Sequence, residues 1–200
     1  MSAAATTSVL LAGVGGQGIL LASKITALAA REAGWLVKTN EVHGMSQRGG
    51  SVIAQIRYGS EVYSPLIAAG EARVLGSLER IEGLRYAHFL SPEGLAVVNS
   101  QIIVPVTVSM GSARYPADSE ELLRRTFPRL IYLDAGKVAL QLGNIKAANV
   151  VLLGALSSGL DLPLPAWEAA ITAAVPARFR DLNLRAFSAG RERAESSALL

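Results

Sequence analysis

The chain has 200 residues, half of them hydrophobic and 18% charged, with a formal charge of +3; this suits one large domain with a sizeable core and excludes a disordered chain. It has no cysteine, which excludes disulfides, a thiolate nucleophile, a zinc–thiolate site and a Cys-ligated iron–sulfur cluster. No apolar run reaches the roughly 20 residues of a membrane span, residues 1–7 lack the basic start and apolar centre of a signal peptide, and the scattered arginines form no stripe with a recognition module; a cytoplasmic protein with neither membrane nor nucleic acid as partner is expected.

In chain order, residues 8–12 form a short apolar run ending in Gly13, the pattern of a buried parallel strand. Residues 18–33 place small and apolar side chains at helical spacing and stop at Gly34. Residues 35–40 read as a second strand, so the chain opens with a strand, a glycine loop, a helix and a strand, the start of a doubly wound sheet. Residues 41–50 read as a polar loop, 51–58 as a strand, and Gly59-Ser60 as a hairpin turn into a strand at 61–64. A strand at 73–77 and a helix at 78–88 follow, then a turn at Ser91-Pro92-Glu93-Gly94 and strands at 95–99 and 102–108. A helix at 118–127 starts at Asp118 as N-cap. A strand at 131–134 precedes helices at 135–141, 145–156, 165–174 and 182–195. The expected fold is therefore α/β: a Rossmann-like three-layer domain with a mostly parallel sheet, spanning 1–200, with the C-terminal helices from about 163 packed on it.

Two segments carry candidate chemistry. Gly13-Val14-Gly15-Gly16-Gln17-Gly18 has the G-x-G-x-x-G spacing with a strand before and a helix after. Gly13 allows a tight turn, Gly15 lets a phosphate approach the backbone, and Gly18 permits close helix–strand packing. The helix start offers free N–H groups to an anion. Ile19 and Leu20 stand where a P-loop requires Lys and Ser/Thr, so it is not a P-loop; a glycine turn made only for packing is the alternative. The second segment, His43-Gly44-Met45-Ser46-Gln47-Arg48-Gly49-Gly50, is dense in donors. Arg48 suits a forked contact to phosphate or carboxylate, and an interface loop explains the same residues equally well. Glu41 stands roughly where dinucleotide folds carry a ribose-binding acid, though the dense loop after it is unlike a dinucleotide site. Asn144 suits an N-cap, Asn149 reads as a buried structural amide, and Asp134 sits at a strand end where it caps a helix or meets a ligand. No nucleophile elbow, H-E-x-x-H or catalytic carboxylate pair is present, so the chain reads as a binding and shaping component.

Taken with Ser109-Met110-Gly111, Tyr115-Pro116, Gly143-Asn144-Ile145, the run from Asn149 to Ala155 and Asn183-Leu184-Arg185-Ala186-Phe187, these segments resemble the gamma domain of 2-oxoacid:ferredoxin oxidoreductases, in particular the indolepyruvate-type small (beta) subunits. The resemblance covers nearly the whole chain, and its most specific part follows Glu41. It implies a subunit, inactive alone, of an enzyme that oxidatively decarboxylates an aryl 2-oxoacid to an acyl-CoA and passes electrons to ferredoxin. Thiamine diphosphate and iron–sulfur clusters would lie in a large partner subunit, with no cofactor on this chain alone. Coenzyme A would be the co-substrate, held by Gly13, Gly15, Gly16, Gln17 and Gly18 together with His43, Gly44, Ser46, Gln47, Arg48 and Gly49; no residue is expected to be catalytic or to bind metal. Gamma subunits for pyruvate or branched 2-oxoacids, and a free-standing NAD-binding oxidoreductase, are the competing readings.

Overall fold

The computed structural model describes residues 6–44, 50–104 and 115–197. Its elements are β1 (Thr7–Val14), α1 (Ile19–Glu32), β2 (Leu36–His43), β3 (Ser51–Gly59), β4 (Ala72–Ser77), α2 (Arg80–Arg85), β5 (Leu90–Asn99), α3 (Ser119–Thr126), β6 (Leu130–Leu133), α4 (Ala135–Gln141), α5 (Ala148–Ser157), α6 (Leu164–Ala174) and α7 (Arg180–Ser197). The strands form one sheet in the order β2-β3-β1-β4-β5-β6. Pairs β1–β4, β4–β5 and β5–β6 are parallel, as the apolar runs imply, whereas β3 runs antiparallel to both of its neighbours, β1 and β2.

The sheet has helices on both faces, which is the expected three-layer α/β arrangement. Successive β1 residues point to opposite faces: Val9 and Leu11 join a large core with α1 and α4 to α7, while Leu10 joins a smaller one with Leu123 and Phe127. Every residue of α5 from Asn149 to Ser157 is buried, as a helix apolar all round must be. It crosses α7 at backbone contact, because a Cβ on Gly154 would fall 2.0 Å from the Phe187 carbonyl oxygen, and one on Gly190 would fall 2.0 Å from that of Val151. Trp167 of α6 and Phe187 of α7 stack nearby, ring centroids 5.4 Å apart. Burying such a side chain contributes roughly 1.5–3 kcal/mol. Among the described residues no helix is long and apolar enough to cross a membrane.

Several local expectations are corrected. β2 runs on through His43, so Glu41, Val42 and His43 are strand and not loop: β3 supplies partners as far as Val52, and an edge strand tolerates polar side chains because much of it faces water. No strand forms at 61–64, where the carbonyls of Glu61, Tyr63 and Ser64 accept from the side chains of Thr6, Lys38 and Arg57 instead of a ladder. The helix expected at 78–88 is shorter, because the Leu78 N–H bonds Ala12 O and Glu79 is extended; α2 is followed by a 3-10 turn at Ala87–Phe89. Ser91 to Gly94 lie inside β5 as an irregularity, since Ala72 pairs with Leu90 but Val74 with Leu95. Residues 101–104 are not strand, and the remainder of the strand expected at 102–108 lies outside the described residues. Asp118 stands at the N-cap position of α3 without a capping hydrogen bond.

This topology positions the site. β2 is parallel to β1 with β3 interposed in reverse, so the carboxyl ends of β1, β2, β4, β5 and β6 share one edge with the start of β3. Open α/β sheets place ligands at that edge.

Candidate functional site

The turn from β1 into α1 occupies the middle of this edge. Gly16 (φ +101°) and Gly18 (φ +85°) take the left-handed conformation, while Gly13 does not. Gly13 lies within β1, where a Cβ would meet the Gln17 amide and Ile19, both at 2.9 Å. The reversal therefore rests on Gly16 and Gly18, and Gly13 makes room for Gln17, which differs from the turn-forming role expected of it. A Cβ on Gly18 would fall 2.5 Å from Asn149 Nδ2, which donates to Gly18 O at 3.1 Å. Gly16 is exposed, with no atom within 4 Å of where a Cβ would stand.

Gln17 staples the turn. Its Oε1 accepts from the Val14 N–H (2.7 Å), and its Nε2 donates to Leu78 O (2.8 Å) and to Gln101 Oε1 (3.0 Å). Its amide is thus engaged within the protein, tying the turn to the segments after β4 and β5. On the opposite flank the Gly15 N–H donates to Gly50 O (2.9 Å), and the Gly44 N–H to Ser51 O (2.9 Å). The two sequence-predicted segments therefore do come together. His43 and Gly44 are exposed at the end of β2; Ser46, Gln47, Arg48 and Gly49 lie outside the described residues.

The turn separates two open clefts. One, of ≈ 670 Å³, lies between the turn and His43, Gly44 and Val52, with Leu20 on its rim. The other, of ≈ 650 Å³, lies towards Gln101, Ile103, Lys146 and Asn149. α1 has neither a side-chain cap nor an acid in its first turn. By helix geometry the N–H groups of Ile19, Leu20 and Leu21 have no intrahelical acceptor. This open, uncapped helix start can take an anion.

Glu41 sits within β2, paired with Ala54 and exposed. Asp134 accepts from the Lys137 N–H and Asn144 from the Lys146 N–H, so each caps the helical turn that begins beside it. Buried Asn149 also accepts the Val150 N–H at 2.9 Å. Among the described residues no group of three or more His, Cys, Asp or Glu side chains is placed to hold a metal ion.

Sequence reasoning missed two buried carboxylates, Glu79 (2% exposed) and Glu82 (5%). Glu79 caps α2 through the Ile81 and Glu82 N–H groups (2.7 and 3.0 Å) and also accepts from Tyr115 Oη (2.7 Å) and the Ile103 N–H (3.3 Å). Burial, and then the bond to Glu79, push the Tyr115 phenol well above its ordinary pKa, so it stays a donor. Glu82 accepts from Ser51 Oγ and from Arg85 Nε (3.0 Å). The helix expected at 78–88 placed Glu79 inside it, so nothing in the sequence pointed to its capping role.

The family described as pyruvate ferredoxin/flavodoxin oxidoreductase matches residues 8–193. An indolepyruvate oxidoreductase subunit IorB from Thermococcus kodakarensis is 43% identical over 188 residues, covering 92% of this chain and 93% of the relative. The subunit of that name from Archaeoglobus fulgidus is 42% identical over 193 residues, covering 94% and 96%. Among solved structures, the pyruvate oxidoreductase subunit PORC of Thermotoga maritima superposes with a TM-score of 0.69 at 26% identity, covering 94% of this chain and 96% of that one.

Proposed function

The chain belongs to the pyruvate ferredoxin/flavodoxin oxidoreductase family, as a subunit of a 2-oxoacid:ferredoxin oxidoreductase, and we propose that its complex converts an aryl 2-oxoacid of the indolepyruvate type to an acyl-CoA with ferredoxin as electron acceptor. The aryl substrate is favoured by identities of 42 and 43% to indolepyruvate subunits, against 26% to a pyruvate subunit. In this reading the chain works in the cytoplasm beside a large subunit that carries thiamine diphosphate and the iron–sulfur clusters.

The part given to this chain is to hold the anionic end of CoA. One observation carries it: the glycine turn is open where a phosphate would lie. Gly16 is exposed with free space above it, and the helix start behind it is uncapped. His43, Gly44, Ser46, Gln47, Arg48 and Gly49 are proposed to bind the ligand as well, with Arg48 supplying a forked charge-assisted contact. Gln17 and Gly13 support the turn from beneath. CoA supplies the thiol that accepts the acyl group; this chain orients its phosphates.

Co-expression with the large subunit tests the reading. A complex that turns over indolepyruvate with CoA, and pyruvate much more slowly, supports it. A chain that purifies without a partner and binds NAD(H) contradicts it.

A further inference from the structure

We infer that α2 couples the two sides of the glycine turn: Glu82 and Glu79 are positioning residues that hold Ser51 on one side and Ile103 and Tyr115 on the other in a single hydrogen-bonded circuit. This rests on the proposed role of the turn in holding CoA.

The circuit can be followed atom by atom. The Gly15 N–H bonds Gly50 O, and the next residue, Ser51, donates its hydroxyl to the Glu82 carboxylate. Tyr86 Oη lies 2.9 Å from the same Ser51 oxygen. The Glu82 N–H donates to Glu79 Oε2 at 3.0 Å, and Glu79 Oε1 takes Tyr115 Oη and the Ile103 N–H. Two residues before Ile103, Gln101 accepts from Gln17, which lies in the turn itself. The path that leaves the turn at Gly15 thus returns to it at Gln17.

Two carboxylates three residues apart, both almost fully buried, are a costly choice, because each charge must be matched by donors. Apolar side chains would fill the space more cheaply, but they would not fix Ser51 and Tyr115 relative to one another. Ser51 is held by the Glu82 carboxylate, and the N–H of the same residue is bonded to the Glu79 carboxylate that holds Tyr115, so both hydroxyls are tied to one short segment. The two sides of the glycine turn are therefore set together.

The test is a double-mutant cycle in the assembled complex. Ser51→Ala and Tyr115→Phe each remove one hydroxyl, and thermal unfolding confirms that the variants remain folded. Each single change is expected to raise the KM for CoA about five-fold with kcat within about two-fold, and the double change to raise it no further than the larger single effect. Effects that multiply to about 25-fold would show two independent sites and overturn the coupling. Glu82→Gln, which keeps an acceptor for Ser51, is expected to stay within about two-fold of the native KM, and Glu82→Leu to match the double variant; a native KM in Glu82→Leu also overturns the inference. The CoA reading is judged separately by Gly15→Val. Should that variant leave the KM for CoA unchanged, the cycle is scored on the 2-oxoacid constant, and single variants that move neither constant overturn the coupling.

Discussion

Asn149 Nδ2 donates to Gly18 O at 3.1 Å and lies 2.5 Å from the point a Cβ on Gly18 would occupy. The buried amide of α5 and the left-handed glycine that begins α1 are thus fitted to one another, and the direction of α1 depends on the pair. Gly18→Ala would meet both the left-handed penalty and this contact, a loss of about 2 kcal/mol or more. Asn149→Ala removes one hydrogen bond from Gly18 O, which also accepts the Ala22 N–H, so its cost is about 1 kcal/mol. Chemical denaturation of the two variants measures the order, and an Asn149→Ala loss exceeding that of Gly18→Ala would contradict it.

Gly154 tests the packing of α5 on α7. Gly154→Ala drives a methyl group to 2.0 Å from Phe187 O, and backbone cannot rotate away. The helices must separate, at about 3 kcal/mol, a fall in Tm of roughly 6–12 °C for a chain of this size. Gly34→Ala is the control: Gly34 has φ +85° but no atom within 4 Å of the Cβ position, so it costs only about 1 kcal/mol. Equal losses would show that the α5–α7 contact is not tight.

Tyr115 gives a pH dependence. Its phenol is raised above the ordinary tyrosine value of 10.0, first by burial and then by the bond to Glu79. The folded state therefore favours the protonated phenol. Its contribution to stability is complete below pH 10 and is lost as the pH rises from there towards the raised value. Stability of the native chain should fall over that interval, and that of Tyr115→Phe should fall less. In an absorbance titration of tyrosinate, the native-minus-variant difference should be silent near pH 10 and develop only above it. A difference centred at 10 would mean that neither the burial of the phenol nor its bond to Glu79 holds in solution.

How far the sequence discloses the molecule depends on whether the cause is local. The run before Gly13, the glycines and the helical spacing after them are local signals, so β1, the turn and α1 were legible. That β3 would lie between β1 and β2 in reverse was not, because a strand pattern at 51–58 carries no direction; pairing with Ala12 and Glu41 on either side decides it. Ser91-Pro92-Glu93-Gly94 has turn chemistry, yet the sheet absorbs it as an irregularity in β5. Asn149 was readable as a buried amide because mid-helix Asn has low propensity. Glu79 and Glu82 were not readable, since acids around a short helix ordinarily face water; their burial is created by Ser51, Ile103 and Tyr115, distant in sequence. Gly13 and Gly15 fit the motif spacing, but only the backbone angles show that Gly16 and Gly18 make the turn.

The KM for CoA of a complex carrying Gly15→Val tests most directly whether the glycine turn holds the anionic end of CoA. Gly15 is not among the positive-φ glycines, so valine imposes no left-handed strain there. With the complex assembled, the KM for CoA should rise about ten-fold or more while the KM for the 2-oxoacid stays within about two-fold. An unchanged KM for CoA in an intact complex would contradict the assignment and leave the turn as packing alone.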